Sequence, residues 1–182
     1  MSATVETLMA VQIVDTLIVF VWCAGHFRVV GRMLTKAFSP VWLFIPIGLG
    51  FLTFAVAAIA VKVCVALFDI PEIWISSEFL AGGYGWGMII LFGCVQPAIV
   101  EELAFRGVIQ GGLASVLSKR ESIIVAACAF AIIHLAFASI PHLFVLGTVA
   151  GWLCYRTGSI YPAIVLHFTH NMLCVGMEAV GA

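Results

Sequence analysis

Long apolar runs alternate with short polar breaks along the chain, at the spacing of membrane-crossing helices. Six such runs follow in order: about residues 7–24, Val41 to Phe68, Trp86 to Val116, Ser122 to Ala138, His142 to Tyr155 and Ile160 to Val180. An α-helix needs roughly 20 apolar residues to cross a hydrocarbon layer about 30 Å thick, so the second run is long enough to tilt and the fifth is short at its apolar core. The breaks differ in charge. Arg28, Arg32 and Lys36 follow the first run with no acid among them, Lys119 and Arg120 follow the third, and Arg156 follows the fifth. The break from Asp69 to Gly83 instead carries Asp69, Glu72 and Glu78 and no base. Basic residues collect in cytoplasmic loops, which predicts a six-span bundle with both termini outside.

Composition agrees with this pattern. The 182 residues are 64% hydrophobic and 9% charged with a mean hydropathy of +1.21, against about 25% charged residues in a soluble domain. The fold class is therefore all-α, a polytopic transmembrane helical bundle of about six helices. A net charge of −1 offers nothing to nucleic acid. The first run follows Glu6 without a basic flank, which reads as a retained anchor rather than a cleaved signal peptide. Six cysteines fall singly within apolar runs and form no CxxC, so they read as small buried core residues. With no repeat or soluble linker, residues 1–182 form one integral membrane domain: 1–85 as scaffold helices, and 86–182 as the part that holds nearly all of the intramembrane polar chemistry.

That chemistry starts at Pro97-Ala98-Ile99-Val100-Glu101-Glu102-Leu103-Ala104-Phe105-Arg106-Gly107. A charge at mid-bilayer costs roughly 2.5–3.5 kcal/mol on insertion scales, so three within six residues must face protein or water. Pro97 removes one backbone bond a turn before Glu101 and should bend or loosen the helix. Glu102 and Arg106 stand four residues apart and can pair. Glu101 is rotated by about 100° and is the freer carboxylate. This divides the roles, with Glu102 and Arg106 as a buried supporting pair and Glu101 as the reactive group; the competing reading makes all three one structural ion network.

On the fourth run, Phe130 precedes His134 by four residues and can orient the imidazole. On the sixth, His167 and Asn171 are four apart and stack on one helix face, offering two donors to one point, as a developing oxyanion requires. His170 reads as an interhelical hydrogen-bond or packing residue, with a place at the edge of the site as the other option. His26 and His142, at run ends, read as solvated or interfacial. Gly107 with Gly111, and Gly147 with Gly151, form two GxxxG faces for close helix approach. Asp15 and Lys62 fall at similar depth if the first two runs are antiparallel neighbours; they either pair or act separately, with Lys62 reaching the outer surface.

With these residues in hand, the chain resembles the CPBP family, which comprises CAAX prenyl endopeptidases, bacteriocin-processing and immunity proteins and related prokaryotic membrane proteases. The resemblance rests on Glu101-Glu102-Leu-Ala-Phe-Arg106, Phe130-Ala-Ile-Ile-His134 and His167-Phe-Thr-His-Asn171, in that order on separate helices, and covers about residues 95–175. It implies an intramembrane endopeptidase in which Glu101 and His134 activate a water while His167 and Asn171 hold the oxyanion. It further implies a multi-pass protein of a prokaryotic cytoplasmic membrane. The chain is shorter than the CAAX enzymes, which favours a compact member acting on a membrane-anchored protein or peptide tail.

Three competing readings remain. Glu101, His134 and His167 could supply three zinc ligands, but Asn171 suits an oxyanion donor better than a zinc ligand, so no cofactor and no metal are expected. A proton-coupled transporter would carry polar residues along a whole pathway, and the first, second and fifth runs offer few. A non-catalytic immunity or scaffold protein would keep the fold without the reaction.

Overall fold

The third apolar run becomes the helix around which the others pack. In the structure, a computed structural model, residues 5–69 and 75–181 are described; Glu72 of the acidic connection lies outside them. Among the described residues there are eight helices and no strands: α1 (Val5–Gly25), α2 (Phe27–Thr35), α3 (Val41–Phe68), α4 (Ile75–Ala81), α5 (Trp86–Leu113), α6 (Lys119–Ile133), α7 (Ile140–Thr157) and α8 (Tyr161–Gly181). Half of an 18-residue apolar stretch of α5 is buried, against 11% in α1 and in α3. It touches α1, α2, α4, α6, α7 and α8, whereas α3 packs on α7 and α8 from the other side.

Five helices, α1, α3, α5, α7 (extended back to Phe137) and α8, are long and apolar enough to cross a membrane. The expected sixth crossing falls short. At 15 residues, α6 is about 22 Å long, less than the hydrocarbon thickness. It opens on a capping box in which Ser118 and Glu121 satisfy each other's backbone N–H groups. It stops at His134 because Leu135 takes a left-handed conformation (φ 52°), after which Phe137–Ser139 form a 3₁₀ turn. A left-handed leucine costs about 1–2 kcal/mol. The chain holds that strain directly beside a candidate site residue.

The basic connection after α1 is also more ordered than expected. Residues 27–35 form α2, which lays Val29 and Val30 against Gly111 and Gly107 of α5. A Cβ on Gly111 would stand 2.7 Å from Val29 Cγ1, so the first GxxxG face seats this short helix rather than another span.

Pro97 loosens α5 as expected. The helix changes to π geometry at Leu91–Val95 and again at Leu103–Gln110, with an α segment at Gln96–Glu102 between them. Proline has no N–H for the carbonyls of Gly93 (α register) or Phe92 (π register), and neighbouring helices supply donors instead. Asn171 Nδ2 donates to Gly93 O at 3.1 Å, and Gln12 Nε2 donates to Phe92 O at 3.1 Å. Both bonds follow from the rule that a buried carbonyl in an apolar medium needs a partner.

The second GxxxG lets α7 approach both α5 and α6. A Cβ on Gly147 would meet Ala127 Cα at 3.1 Å and Phe130 Cδ1 at 3.3 Å, and one on Gly151 would meet Gln110 Oε1 at 2.6 Å. Overpacking a fitted contact typically costs about 1–3 kcal/mol. Gly147→Leu is therefore expected to lower the melting temperature of the detergent-purified protein measurably; an unchanged melting curve would show that α6 and α7 are not in close contact.

Candidate active site

The site is built outward from Phe130, a ring with no exposure on α6. Its edge-to-face partners are Phe105 at 5.2 Å, His134 at 4.9 Å and His167 at 5.7 Å between centroids, and the Arg106 guanidinium lies 4.8 Å from its centre. Side chains from α5, α6 and α8 thus meet on one ring.

Glu102 and Arg106 are sealed, at 0% and 1% exposure, with Arg106 Nε 3.1 Å from Glu102 Oε2. Arg106 Nη2 also donates to Gly147 O at 3.1 Å. The ion pair expected from the spacing is present, and it has a third member. His167 Nδ1 lies 2.9 Å from Glu102 Oε1. Beside a guanidinium the carboxylate is ionised and only accepts, so His167 Nδ1 carries the proton and Nε2 points away from Glu102.

Nε2 points toward Glu101. Glu101 Oε2 lies 3.9 Å from His167 Nε2 and 3.8 Å from His134 Nε2. His134 Nδ1 donates to Phe130 O at 2.7 Å, so both imidazoles are held by Nδ1 and face Glu101 with Nε2. These separations exceed a direct hydrogen bond and suit a bridging water. Glu101 Oε2 is itself buried without a hydrogen-bond partner, although the side chains of Glu101 and His134 keep 30% exposure. That exposure opens into a cavity of about 470 Å³ whose walls include Glu101, His134 and Asp15.

Of the residues singled out in the sequence, Glu101, Glu102, Arg106, His134 and His167 form one constellation. Asn171 lies on the same helix as His167 and uses one amide N–H on Gly93 O, which leaves its second N–H. His170 is an interhelical hydrogen-bond residue. Thr53 donates its hydroxyl proton to Gly50 O at 3.1 Å, so His170 Nδ1 donates to Thr53 Oγ1 at 3.1 Å. His142, expected at a solvated end, is buried and stacks on His170 with centroids 6.2 Å apart, because α7 begins earlier than the apolar run and carries it inside. His26 is exposed as expected. Cys23, Cys94 and Cys154 are buried, but Cys128 is exposed on α6. Asp15 and Lys62 do not pair: α1 packs on α2 and α5 rather than along α3, and Asp15 turns to the cavity. Among the described residues, no group of three or more His, Cys, Asp or Glu side chains is arranged to hold a metal ion.

Two contributors were not assigned to this site from the sequence. Gln110 donates to Gly151 O at 3.1 Å, repeating one turn later what Arg106 does at Gly147. The matched four-residue steps of Arg106 to Gln110 and Gly147 to Gly151 are the signal that pairs them. Asp15 is the other, and its mid-helix charge, flanked by Gln12 and Thr16 on one face, carried the information.

The family comparison covers the segment that holds this site. The sequence model described as Type II CAAX prenyl endopeptidase Rce1-like matches residues 83–173, half of the chain, and the protein belongs to that family, part of the CPBP group of CAAX intramembrane proteases. The protein is thus a multi-pass membrane protein of a protease family whose members act on membrane-anchored substrates. The matched span carries every residue of the constellation and excludes α1, α2 and α3. No curated protein and no solved structure matches the chain significantly.

The two adjacent glutamates should separate on mutation. Glu102→Gln removes one partner of a buried pair, a loss of about 3–5 kcal/mol. Glu101→Gln removes a carboxylate with no hydrogen bond to Oε2 and is expected to change stability by less than about 1 kcal/mol. Thermal or denaturant unfolding in detergent reads the difference; equal losses would mean that Glu101 shares the structural network.

Proposed function

We propose that the protein is an intramembrane endopeptidase that hydrolyses a peptide bond in a membrane-anchored protein or peptide tail in a prokaryotic cytoplasmic membrane. Glu101 and His134 activate the water, and the reaction needs no cofactor. The observation that carries this reading is the placement of Glu101 Oε2, at 3.8 Å and 3.9 Å from two imidazole Nε2 atoms on the wall of a cavity.

A water bridging Glu101 Oε2 and His134 Nε2 gives up one proton to this pair as its oxygen attacks the scissile carbonyl carbon. The carbonyl electrons move onto oxygen, and that oxyanion accepts from His167 Nε2–H and the second N–H of Asn171. His167 already donates Nδ1–H to Glu102, so it donates from Nε2 only when doubly protonated. In that state Arg106 and His167 carry two positive charges against the two of Glu101 and Glu102, and the buried cluster is neutral. Collapse of the intermediate breaks the C–N bond, and the amine leaves with the proton held by Glu101 and His134. The products are a carboxylic acid and an amine, with water consumed. The buried Phe130 and the apolar cavity wall lower the local dielectric, which strengthens each of these electrostatic contacts.

The test uses purified protein in liposomes with membrane-anchored peptides. Glu101→Gln and His134→Ala are each expected to lower turnover by about 10²–10⁴-fold, and Asn171→Ala by about 10²–10³-fold. Turnover is expected to survive exhaustive chelation. Equal cleavage by wild type and Glu101→Gln would end the hydrolytic reading, and loss on chelation restored by zinc would replace water activation by the glutamate with metal chemistry.

A further inference from the structure

The cavity beside Glu101 is closed on one side by α1, which lies outside the segment matched by the family. One stripe of α1 carries Gln12, Asp15, Thr16, Val19 and Cys23 at three- and four-residue steps, with Gln12 and Thr16 half-buried and Asp15 exposed where it lines the cavity. Val19 and Cys23 are buried. Gln12 and Thr16 are fastened to α5: Gln12 Nε2 donates to Phe92 O, and Gln96 Nε2 donates to Thr16 Oγ1 at 2.9 Å and to Gln12 O at 3.2 Å. These bonds fix the rotation of α1 and so the direction of Asp15. Asp15 itself makes no hydrogen bond or ion pair among the described residues, and it lines the same cavity as Glu101 and His134.

A carboxylate in the middle of a membrane helix is costly, and here it has no partner that would make it structural. The cavity wall holds two carboxylates and neither Lys nor Arg, while Trp22, Phe105 and Ile133 make much of the rest apolar. At about 470 Å³ it is of ligand-binding size. The charge of Glu101 is balanced within its own cluster by His167, so the uncompensated field that the low-dielectric walls focus onto whatever enters is that of Asp15. A peptide with a basic side chain fits that field, since its aliphatic stem lies along the apolar wall while its cation meets the carboxylate. An acidic side chain at the same place meets repulsion from Asp15.

We propose that Asp15 is a specificity determinant that selects substrates carrying a Lys or Arg side chain next to the scissile bond and rejects acidic ones. The substrate role rests on the protease reading, whereas the charge preference in binding does not depend on cleavage.

The experiment uses the full chain in nanodiscs and three sets of fluorescent membrane-anchored peptides, identical except for Lys, Gln or Glu scanned across the positions flanking the cleaved bond. Binding is measured on Glu101→Gln, and on Glu101→Gln combined with Asp15→Asn, Asp15→Glu or Asp15→Lys. Cleavage is measured on the same Asp15 variants with Glu101 intact. The Lys peptide is expected to bind at least about tenfold tighter than the Gln peptide to the Glu101→Gln protein. That ratio falls to near one with Asp15→Asn, persists with Asp15→Glu, and inverts in favour of the Glu peptide with Asp15→Lys. A ratio that Asp15→Asn leaves unchanged, or no preference for the Lys peptide at the outset, including no binding, would overturn the proposal. Charge-selective binding without cleavage by wild type would sink the protease reading alone and leave the role of Asp15 standing.

Discussion

One buried carboxylate orders the interior of this bundle. Glu102, with no exposure, contacts Arg106 on its own helix and accepts from His167 on α8, while Arg106 continues to Gly147 O on α7 and to the face of Phe130 on α6. Four helices therefore meet around a single ion pair. Desolvating such a pair is expensive, and an apolar replacement of equal volume is often as stable, so net stability is a weak account of its presence. Its geometric consequence is stronger. With Nδ1 held by Glu102, His167 has only Nε2 to offer, and Nε2 faces Glu101. The backbone contact of His134 with Phe130 O does the same for the second imidazole.

The glycines and the proline make this arrangement reachable. Arg106 and Gln110 reach carbonyls of α7 because residues 147 and 151 have no side chains to hold the helices apart. Pro97 breaks the regular ladder of α5, and the carbonyls it leaves are taken up by Gln12 of α1 and Asn171 of α8. In lipid the alternative is an unpartnered carbonyl, at a cost of several kcal/mol. The irregular stretch of α5 is thus what ties it to its neighbours, and it brackets the two glutamates with π geometry of a kind that recurs at functional sites.

Much of this could be read in the sequence for one physical reason. Charge is so unfavourable within an apolar run that Glu101, Glu102 and Arg106 had to face inward, and four-residue spacing then paired Glu102 with Arg106 and Phe130 with His134. The rest depends on contacts between helices that spacing does not encode. His167 reaching Glu102 is one such contact. The end of α6 at a left-handed Leu135 shortened an expected span, since nothing about leucine announces that conformation. The basic residues of α2 drew attention to charge and hid the apolar face that packs on Gly107 and Gly111. Pairing of Asp15 with Lys62, one of two readings open in the sequence, required consecutive spans to be neighbours; α1 lies against α5 instead, and the carboxylate lines the cavity.

The central claim is that Glu102 holds His167 by Nδ1 and thereby aims Nε2 at Glu101. Nitrogen-15 NMR of histidine-labelled protein in nanodiscs, with the His167 signals assigned by their loss in His167→Asn, reads the position of the proton directly. A proton on Nδ1, alone or together with one on Nε2, is the predicted result. A neutral ring protonated only at Nε2 would contradict it.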